Sequence, residues 1–266
     1  GDIVEPKVYY PIIPMILVNG TKGIGTGYST FIPQYNPKDL IKNIKDYLNG
    51  KPFSDIEELI PWYRGFTGSI EKKEKIKATD KEAYNVYGVA TVVNENTVRV
   101  KELPIGVWTE DYLNFLETLR EDGELVVDYI NNSSNHKVDI LITFANSKLQ
   151  YLIKNDLIFT KLKLISSISI ENMHLYKNNV ITKYKSANAI LKDYIAIRLD
   201  AYEMRKKHVI KILVNEMKVL KYRKKFIEQI LEKKIIIERK KKSEIIEQLE
   251  ENEFPELSIG LNSAPS

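Results

Sequence analysis

A glycine-rich run near the start of the chain has the clearest potential for chemistry. It reads Gly-Thr-Lys-Gly-Ile-Gly-Thr-Gly over residues 20–27. Such a run could cradle a phosphate, but a P-loop ends in Gly-Lys-Ser/Thr, and a dinucleotide site needs an acidic residue about 20 positions further on within a βαβ unit. Here Lys22 precedes the later glycines, and no helix signal starts at Gly27. The pattern therefore argues against a nucleotide site.

Two other interpretations of the glycine run stay open. Glycines allow positive φ and close backbone approach, so the run could be a structural turn and nothing more. Ile24, however, lies between two glycines and has neither a helix face nor a strand face to pack on. If the run is exposed, Ile24 is an apolar wedge of the kind that inserts between base steps and kinks duplex DNA, at a cost of about a few kcal/mol per step.

The composition is that of a folded protein without a cysteine-based site. Hydrophobic residues make up 43% of the chain and aromatic residues 10%, so a core is expected. The absence of cysteine excludes disulfides and cysteine-ligated zinc, and the three histidines (His136, His174 and His208) lie far apart, so no metal site is predicted. No apolar run approaches the ~18 residues of a membrane span, and no signal peptide is recognisable, so no membrane partner is expected.

The net charge of +4 conceals an uneven distribution of charged residues. Residues 186–242 contain 17 basic and 7 acidic side chains, so this segment is strongly positive while the remainder of the chain is negative. A basic stripe suits a polyanion. Long solvated helices are also often rich in lysine for solubility alone, and both interpretations fit the pattern.

The pattern of apolar residues and turn signals predicts an α+β protein. Asn36 and Pro37 should begin a helix that Gly50 closes. Thr109 should cap a helix over 110–120. The remaining short elements are a strand at 15–18, strands at 65–70, 84–93, 97–103, 138–144 and 162–170, a hairpin turn at 94–96, and a helix at 149–157.

The last third of the chain predicts one unusually long helix. Ser186 is a candidate N-cap, and no proline or glycine interrupts residues 186–234. At 1.5 Å per residue such a helix would be ~70 Å long, which favours a coiled-coil arm over an ordinary globular helix. Three consecutive isoleucines at 235–237 should break it, and a short helix over 241–251 should follow.

Four runs of this sequence carry a family resemblance. They are Pro-Ile-Ile-Pro-Met-Ile-Leu-Val-Asn-Gly (11–20), Gly-Ile-Gly-Thr-Gly-Tyr-Ser-Thr-Phe-Ile-Pro (23–33), Arg-Gly-Phe-Thr-Gly-Ser-Ile-Glu (64–71) and Glu-Leu-Pro-Ile-Gly-Val-Trp-Thr (102–109). They resemble the eukaryotic-type type IIA DNA topoisomerases, and shorter similar runs continue to about residue 255. Lys22, Tyr28 and Gly106 depart from the usual glutamate, tryptophan and arginine. The last change calls one phosphate contact into question, whereas a lysine facing phosphate would help binding.

The resemblance implies a domain plan and a set of DNA-binding residues. Residues 1–60 would form a shoulder with the DNA-bending glycine loop, 61–185 an α+β tower domain, 186–255 the long coiled-coil helix of the exit-gate arm with its short following helix, and 256–266 a loop tail. Ile24 would intercalate into DNA and Trp108 would contact it. The remaining DNA-binding residues implied are Asn19, Lys22, Gly23 and Gly25.

The resemblance also implies the activity of a larger enzyme. That enzyme would be an ATP-dependent, nuclear, homodimeric isomerase that passes one duplex through a transient double-strand break in another and uses Mg²⁺ and ATP. This chain, which lacks an initiating Met, would be its DNA-gripping and DNA-bending part. It contains no Arg-Tyr dipeptide and no Asp-x-Asp. The nucleophilic tyrosine, its arginine and the metal-binding acids are therefore expected upstream of Gly1, and the chain itself should hold no catalytic residue, metal or cofactor.

Two functions of other classes compete with this one. A coiled-coil interaction protein with a small α/β head explains the long helix equally well, but not the glycine run or the Glu-Leu-Pro-x-x-x-Trp element. A nucleotide-dependent enzyme built on the glycine run lacks the lysine and the acidic partner that it needs. A steep, log-linear loss of affinity with salt distinguishes a DNA-binding surface from an apolar coiled-coil contact, and tight ATP binding would favour the nucleotide enzyme.

We expect the purified chain alone neither to cleave DNA nor to hydrolyse ATP, because it lacks the arginine-tyrosine pair and the acidic cluster. Incubation with supercoiled plasmid, Mg²⁺ and ATP, followed by gel electrophoresis and a phosphate-release assay, checks both. Nicked or linear DNA, or phosphate release above the background without protein, would contradict this expectation.

Overall fold

The computed structural model describes residue 5 and residues 8–74 and 82–255. The chain divides into two compact units. One comprises Ile13–Tyr194, and the other comprises Gly1–Ile12 together with Ile195–Ser266. The first unit holds the sheets and the glycine run, and the second holds most of the long helix.

The first elements of the chain are helix α1 (Met15–Asn19), strands β1 (Thr21–Ile24) and β2 (Ser29–Ile32), and helix α2 (Pro37–Leu48). The prediction of a strand at 15–18 was wrong, because α1 is a single helical turn. Pro14 lies just before it with φ −68° and ψ 98°, where its missing N–H is not needed, and its carbonyl accepts a hydrogen bond from Leu17 at 3.0 Å. The turn buries Leu17 completely.

Helix α2 begins and ends as its sequence predicted. The Asn36 side chain accepts a hydrogen bond from the backbone N–H of Lys38 at 3.0 Å, and Pro37 occupies the first helical position. Gly50, just past the end, adopts φ +93°. A short 3₁₀ turn follows at Phe53–Asp55.

The middle of the chain forms two antiparallel sheets. The first has three strands in the order β3 (Ser69–Lys72), β4 (Ala83–Tyr87) and β9 (Ile165–Ser169). The second has four strands in the order β5 (Val89–Asn94), β6 (Thr97–Glu102), β8 (Ile140–Phe144) and β7 (Val126–Asn131). The strands predicted at 97–103, 138–144 and 162–170 are present, as is the turn between β5 and β6.

The single strand predicted at 84–93 is two strands that belong to different sheets. The chain leaves β4 and enters β5 at Gly88, whose N–H donates to the carbonyl oxygen of Leu164 at 2.9 Å. A Cβ atom at this position would lie 2.4 Å from the carbonyl oxygen of Glu102, so only glycine fits the crossing.

Helix α3 (Thr109–Asp122) packs on the four-stranded sheet and closes the main core. Trp108, and not Thr109 as predicted, is its N-cap residue, and no side chain caps this end. The predicted helix at 149–157 is present as α4 (Lys148–Lys154), which ends three residues early, and a further short helix, α5 (Ile158–Lys161), follows it. The fully buried side chains of the core alternate along the strands and recur at helical spacing on α3 and α4: Val100, Leu116, Val126, Ile140, Ile142 and Leu149.

Five strands were not predicted from the sequence. They are β1 and β2 of the glycine run, where Ile24 was expected to have no strand face, and three strands later in the chain. Strand β7 contains a bulge between Val126 and Asp128 and is mostly exposed, so its apolar residues do not alternate cleanly. Strands β10 (Met173–Lys177) and β11 (Val180–Tyr184) form a hairpin. Its turn residues, Asn178 and Asn179, have φ of +50° and +63°. Asparagine tolerates positive φ in tight hairpin turns, so this pair was a usable signal that the sequence analysis missed.

The long helix is present as α6 (Ala187–Leu231), with 45 residues. The Ser186 hydroxyl accepts a hydrogen bond from the N–H of Ala189 at 3.2 Å, as an N-cap should. After the predicted break comes α7 (Lys242–Glu251), and Phe254 lies against the rings of Tyr222 and Phe226 on α6. That α6 belongs to a coiled-coil arm stays a prediction. No helix among the described residues is long and apolar enough to cross a bilayer.

Leu116 tests the assignment of the main core. We expect Leu116→Ala to lower the free energy of unfolding by about 2–5 kcal/mol, because it removes a fully buried side chain from α3 and leaves a cavity. Asn114→Ala on the exposed side of the same helix should change it by less than about 0.5 kcal/mol. Urea unfolding of both variants measures the difference. Equal effects would contradict the packing described for α3.

Candidate nucleic-acid interface

The glycine run folds as a β-hairpin. Thr21 pairs with Ile32 and Ile24 pairs with Ser29, and the amide of Gly25 donates to the carbonyl oxygen of Tyr28 at 2.8 Å across the turn. The glycines therefore form the end of a strand and a turn. A phosphate-binding loop would lead directly into the N-terminus of a helix, and this hairpin does not.

Ile24 lies at the end of β1 and is 88% exposed. Its neighbours Gly23 and Gly25 have no side chains that could shield it. Because alternate residues of a strand face the same side, Lys22 shares its exposed face. Within residues 8–74 and 82–255, no acidic side chain forms an ion pair with Lys22. An apolar wedge and an uncompensated positive charge thus lie two residues apart on one surface.

Asn19 and Gly20 fix how the hairpin leaves helix α1. The carbonyl oxygen of Asn19 accepts a hydrogen bond from the Gln34 side chain at 3.1 Å, and the amide of Gly20 donates to Ile16 at 3.0 Å. Gly20 has φ +66°, and a Cβ atom there would lie 2.7 Å from the carbonyl oxygen of Ile32. The chain can turn from α1 into β1 only because residue 20 has no side chain.

Trp108 lies on a different element from the hairpin. It immediately precedes α3, is 75% exposed, and its carbonyl oxygen accepts the helix's first hydrogen bond, from Tyr112 at 3.0 Å. Gly106 in the preceding loop has φ +86°, a conformation in which a residue with a side chain would be strained. Lys22, Gly23, Ile24 and Gly25 therefore lie on one hairpin, and Asn19 ends the helix that leads into it. Trp108 is a separate exposed aromatic.

Two of the four sequence runs that carry the resemblance meet at the loop that precedes Trp108. The Thr67 hydroxyl donates to a carboxylate oxygen of Glu102 at 2.9 Å, which joins the run at 64–71 to the run at 102–109. The Ser166 hydroxyl donates to the carbonyl oxygen of Ile105 at 3.2 Å, which joins strand β9 to the same loop. These contacts hold the residues ahead of Trp108 against the three-stranded sheet.

The β10–β11 hairpin supports the glycine hairpin. The amide of Phe31 donates to the carbonyl oxygen of Asn172 at 2.9 Å, and the Thr30 hydroxyl donates to the carbonyl oxygen of His174 at 2.8 Å. Strand β2 therefore has β1 on one side and the chain around residues 172–174 on the other. Sequence analysis identified neither this support nor a role for His174.

The supporting hairpin is itself anchored to the start of α6 by Asp193. Its carboxylate accepts hydrogen bonds from Lys177 at 2.6 Å and from the Tyr184 hydroxyl at 2.9 Å. The Lys177 ammonium group lowers the pKa of Asp193, while burial and the neighbouring carboxylate raise the pKa of Tyr184 to about 12. Because the folded-state pKa of Asp193 is depressed, this anchor stabilises the fold above the ordinary carboxyl pKa and weakens as the pH falls through the folded-state value.

Two open grooves flank the glycine hairpin. One, of about 290 Å³, is mainly apolar, and its lining includes Ile24, Tyr28, His174, Tyr176 and Ile181. The other, of about 330 Å³, is lined by residues of α1, β1 and β2 and by Tyr63, whose pKa burial raises to about 12.

The described residues do not fit the Mg²⁺ that the resemblance implies for the larger enzyme. No three or more histidine or acidic side chains come together there in a way that could hold a metal ion. The chemistry available at the hairpin is that of an apolar wedge, backbone amides and one lysine. Those groups can grip and deform a polyanion.

Comparison with known proteins identifies a consistent set of similar chains. The DNA gyrase/topoisomerase IV A-subunit family matches residues 1–261. DNA topoisomerase 2 of Pisum sativum is 38% identical over 259 residues, and that of Plasmodium falciparum is 40% identical over 254 residues. They cover 96% and 94% of this chain, which spans only 17% of the length of each relative.

A solved structure shows the same fold. The crystal structure of the Plasmodium falciparum topoisomerase II DNA-binding, cleavage and re-ligation domain matches with a TM-score of 0.78 at 39% sequence identity. The match covers 94% of this chain and 33% of that one. Both sheets and the long helix therefore belong to a fold already known in a relative.

Two glycines of the hairpin should respond differently to an added methyl group. We expect Gly20→Ala to lower the free energy of unfolding by about 1–3 kcal/mol, because it forces positive φ on alanine and clashes with the carbonyl oxygen of Ile32. Gly23→Ala should change it by less than about 0.5 kcal/mol, since its Cβ would lie an ordinary 3.5 Å from Thr30. Thermal and urea unfolding measure both. A tolerated Gly20→Ala would contradict the hairpin geometry.

Proposed function

Since this chain belongs to the DNA gyrase/topoisomerase IV A-subunit family, we propose that it is the part of a eukaryotic-type type II DNA topoisomerase that grips and bends duplex DNA. The exposed Ile24 at the end of the glycine hairpin is the observation that carries this proposal. In this function Ile24 enters a base step, Asn19, Lys22, Gly23 and Gly25 contact the DNA around it, and Trp108 makes a separate contact.

The free energy gained by burying Ile24 is comparable to the cost of opening a base step. Moving an isoleucine side chain from water into an apolar environment is worth about 1.5–3 kcal/mol. Opening a base step costs about a few kcal/mol, so burial of Ile24 offsets much of that cost and DNA–protein contacts along the bent duplex supply the rest. In the absence of DNA, 88% of this side chain is exposed to water, so the driving force is available when DNA arrives.

Charge supports the same assignment. Lys22 lies on the face of Ile24 and has no acidic partner among the described residues, so a phosphate would neutralise it at little cost. A phosphate can approach the backbone at Gly23 and Gly25 closely because no side chains intervene. The basic residues of α6 are a further positive surface, and all of them except Lys192 lie in the other compact unit.

From the same family membership we also propose the activity of the larger enzyme to which this chain belongs. It is an isomerase that passes one duplex through a transient double-strand break in another, with ATP and Mg²⁺, in the nucleus and as a homodimer. Within it, residues 1–60 are the shoulder, 61–185 the tower, and 186–255 the helical arm to the exit gate. The proposed tail at 256–266 lies outside the described residues.

The alternative function, a coiled-coil interaction protein with a small α/β head, is not favoured. The family match extends over the glycine hairpin and both sheets as well as the helix. A partner of that kind would engage the exposed apolar residues of α6, among them Leu213 and Leu220, and would leave Ile24 without a role.

A salt series with short duplex DNA tests the proposed function. We expect the logarithm of the association constant to fall linearly with the logarithm of salt concentration, and Lys22→Ala to make the slope shallower by about one unit because one phosphate contact is lost. Ile24→Ala should leave the slope unchanged and reduce the bend, measured by FRET between the DNA ends. Trp108→Ala should lower affinity without abolishing the bend.

Ile130→Ala is the matched control for Ile24→Ala, since Ile130 is an exposed isoleucine on strand β7. It should change neither affinity nor bend. The proposed function would be overturned if the wild-type chain did not bind DNA at low salt, or if the Ile24→Ala chain bent DNA as much as the wild type does.

A further inference from the structure

The glycine hairpin is too small to be stiff by itself. Strands β1 and β2 share only four paired positions, and Ile24 occupies the last of them, opposite Ser29. Isolated two-stranded hairpins are marginally stable in water. A side chain that must force two base pairs apart needs a support that does not yield, so the contacts outside the β1–β2 ladder decide how well Ile24 is held.

Those outside contacts come from two residues, Asn172 and His174. The Asn172 carbonyl oxygen accepts from the Phe31 amide and its side chain donates to the Ser29 hydroxyl, and the remaining contacts are made by His174 of strand β10. Its backbone exchanges two hydrogen bonds with the Thr30 hydroxyl, which donates to the His174 carbonyl oxygen at 2.8 Å and accepts from the His174 amide at 3.2 Å. Its ring Nδ1 lies 3.0 Å from the carbonyl oxygen of Ser29. The ring also meets the ring of Tyr28 edge to face, with 5.8 Å between centroids and an interplanar angle of 73°.

The His174 ring contacts Ser29, the residue directly across the ladder from Ile24. Ser29 pairs with Ile24 in the ladder, and Tyr28 accepts the turn hydrogen bond from Gly25. For the Ser29 contact to be a hydrogen bond, Nδ1 must carry the proton and donate to the carbonyl oxygen. One imidazole ring thereby fixes both residues that lie opposite the tip of the wedge.

His174 can transmit this restraint because its own strand is anchored. Three residues further on, Lys177 is held by Asp193 at 2.6 Å, and Tyr184 on the paired strand β11 contacts the same carboxylate at 2.9 Å. The β10–β11 hairpin is thus tied to the start of α6 at one end and to β2 at the other.

We propose that His174 is a positioning residue for Ile24, whose ring holds the Tyr28–Ser29 segment so that the glycine hairpin resists deflection when Ile24 enters DNA. This role rests on the proposed function. His174 acts through the hairpin and needs no contact with DNA. It should affect the extent of bending more than the strength of binding, because phosphate contacts supply most of the affinity.

Three substitutions separate the parts of this role. His174→Ala removes the hydrogen bond and the aromatic contact. His174→Asn restores a donor at the same place, because its side-chain nitrogen is bonded to Cγ as Nδ1 is. His174→Phe restores the ring without the donor. His136→Ala, at an exposed histidine on another part of the chain, is the control.

The first measurement uses the full chain without DNA. Hydrogen exchange followed by NMR reports the Gly25 amide, which is bonded to Tyr28 across the turn. We expect His174→Ala to speed exchange of this amide about fivefold, the change produced by losing one hydrogen bond of ordinary net strength, while the amides of β6 and β8 exchange as in the wild type. His174→Asn and His174→Phe should each recover part of the protection. An unchanged Gly25 amide would overturn the positioning role.

The second measurement is the FRET-detected bend at saturating duplex DNA. We expect His174→Ala to lower the ratio of bent to straight complexes about fivefold, with a smaller change in affinity. The same substitution should have no further effect in Ile24→Ala, where no wedge remains to be held. Faster exchange with an unchanged bend would overturn the inference and leave the proposed function intact. Failure of the wild type to bind DNA would overturn the proposed function itself, and exchange would still decide whether His174 holds the hairpin.

Discussion

The first unit of this chain depends on a junction between two short segments that lie far apart in sequence. Hydrogen bonds join Ser29, Thr30 and Phe31 to Asn172 and His174, across a separation of 144 residues between Thr30 and His174. Both sheets and their helices lie between these segments. Closing a loop of this length costs conformational entropy, so the stability of the junction depends on the packing of the sheets that the loop encloses. The exposed position of Ile24 is therefore a product of the whole unit and not of the glycine run alone.

In the first unit, the side chains that make the fold rigid differ from the exposed side chains that are available to a ligand. The four-stranded sheet, α3 and α4 share a core of fully buried aliphatic side chains, and the loop ahead of Trp108 is fixed to the three-stranded sheet through Glu102 and Ile105. On this support the exposed groups are an isoleucine, a lysine and a tryptophan. None of them makes or breaks covalent bonds in such a setting. In the proposed function, these exposed groups deform DNA mechanically.

Much of this could be predicted wherever a local signal was unambiguous. Asn36, Pro37 and Gly50 marked helix α2, and the absence of proline and glycine over a long stretch marked α6. The short apolar run after Pro14 was ambiguous between a strand and a helical turn, and tertiary packing of Leu17 favoured the turn. Gly88 divides two strands because another backbone passes close to it, which periodicity does not report. The junction at His174 depends on contacts across most of the unit, so no local pattern contained it. The sequence suggested Ile24 as a wedge only if it were exposed, and the structure supplies that exposure.

Base stacking next to Ile24 is the most direct measure of whether this hairpin acts as a wedge. Short duplexes carrying 2-aminopurine at successive positions report unstacking, because the fluorescence of this base rises when it leaves the stack. With the wild-type chain bound, we expect a rise confined to one or two neighbouring positions, and no rise with Ile24→Ala at equal saturation. A fluorescence profile that stays flat along the duplex, or that is the same for both chains, would contradict the assignment of Ile24 as the residue that opens and bends DNA.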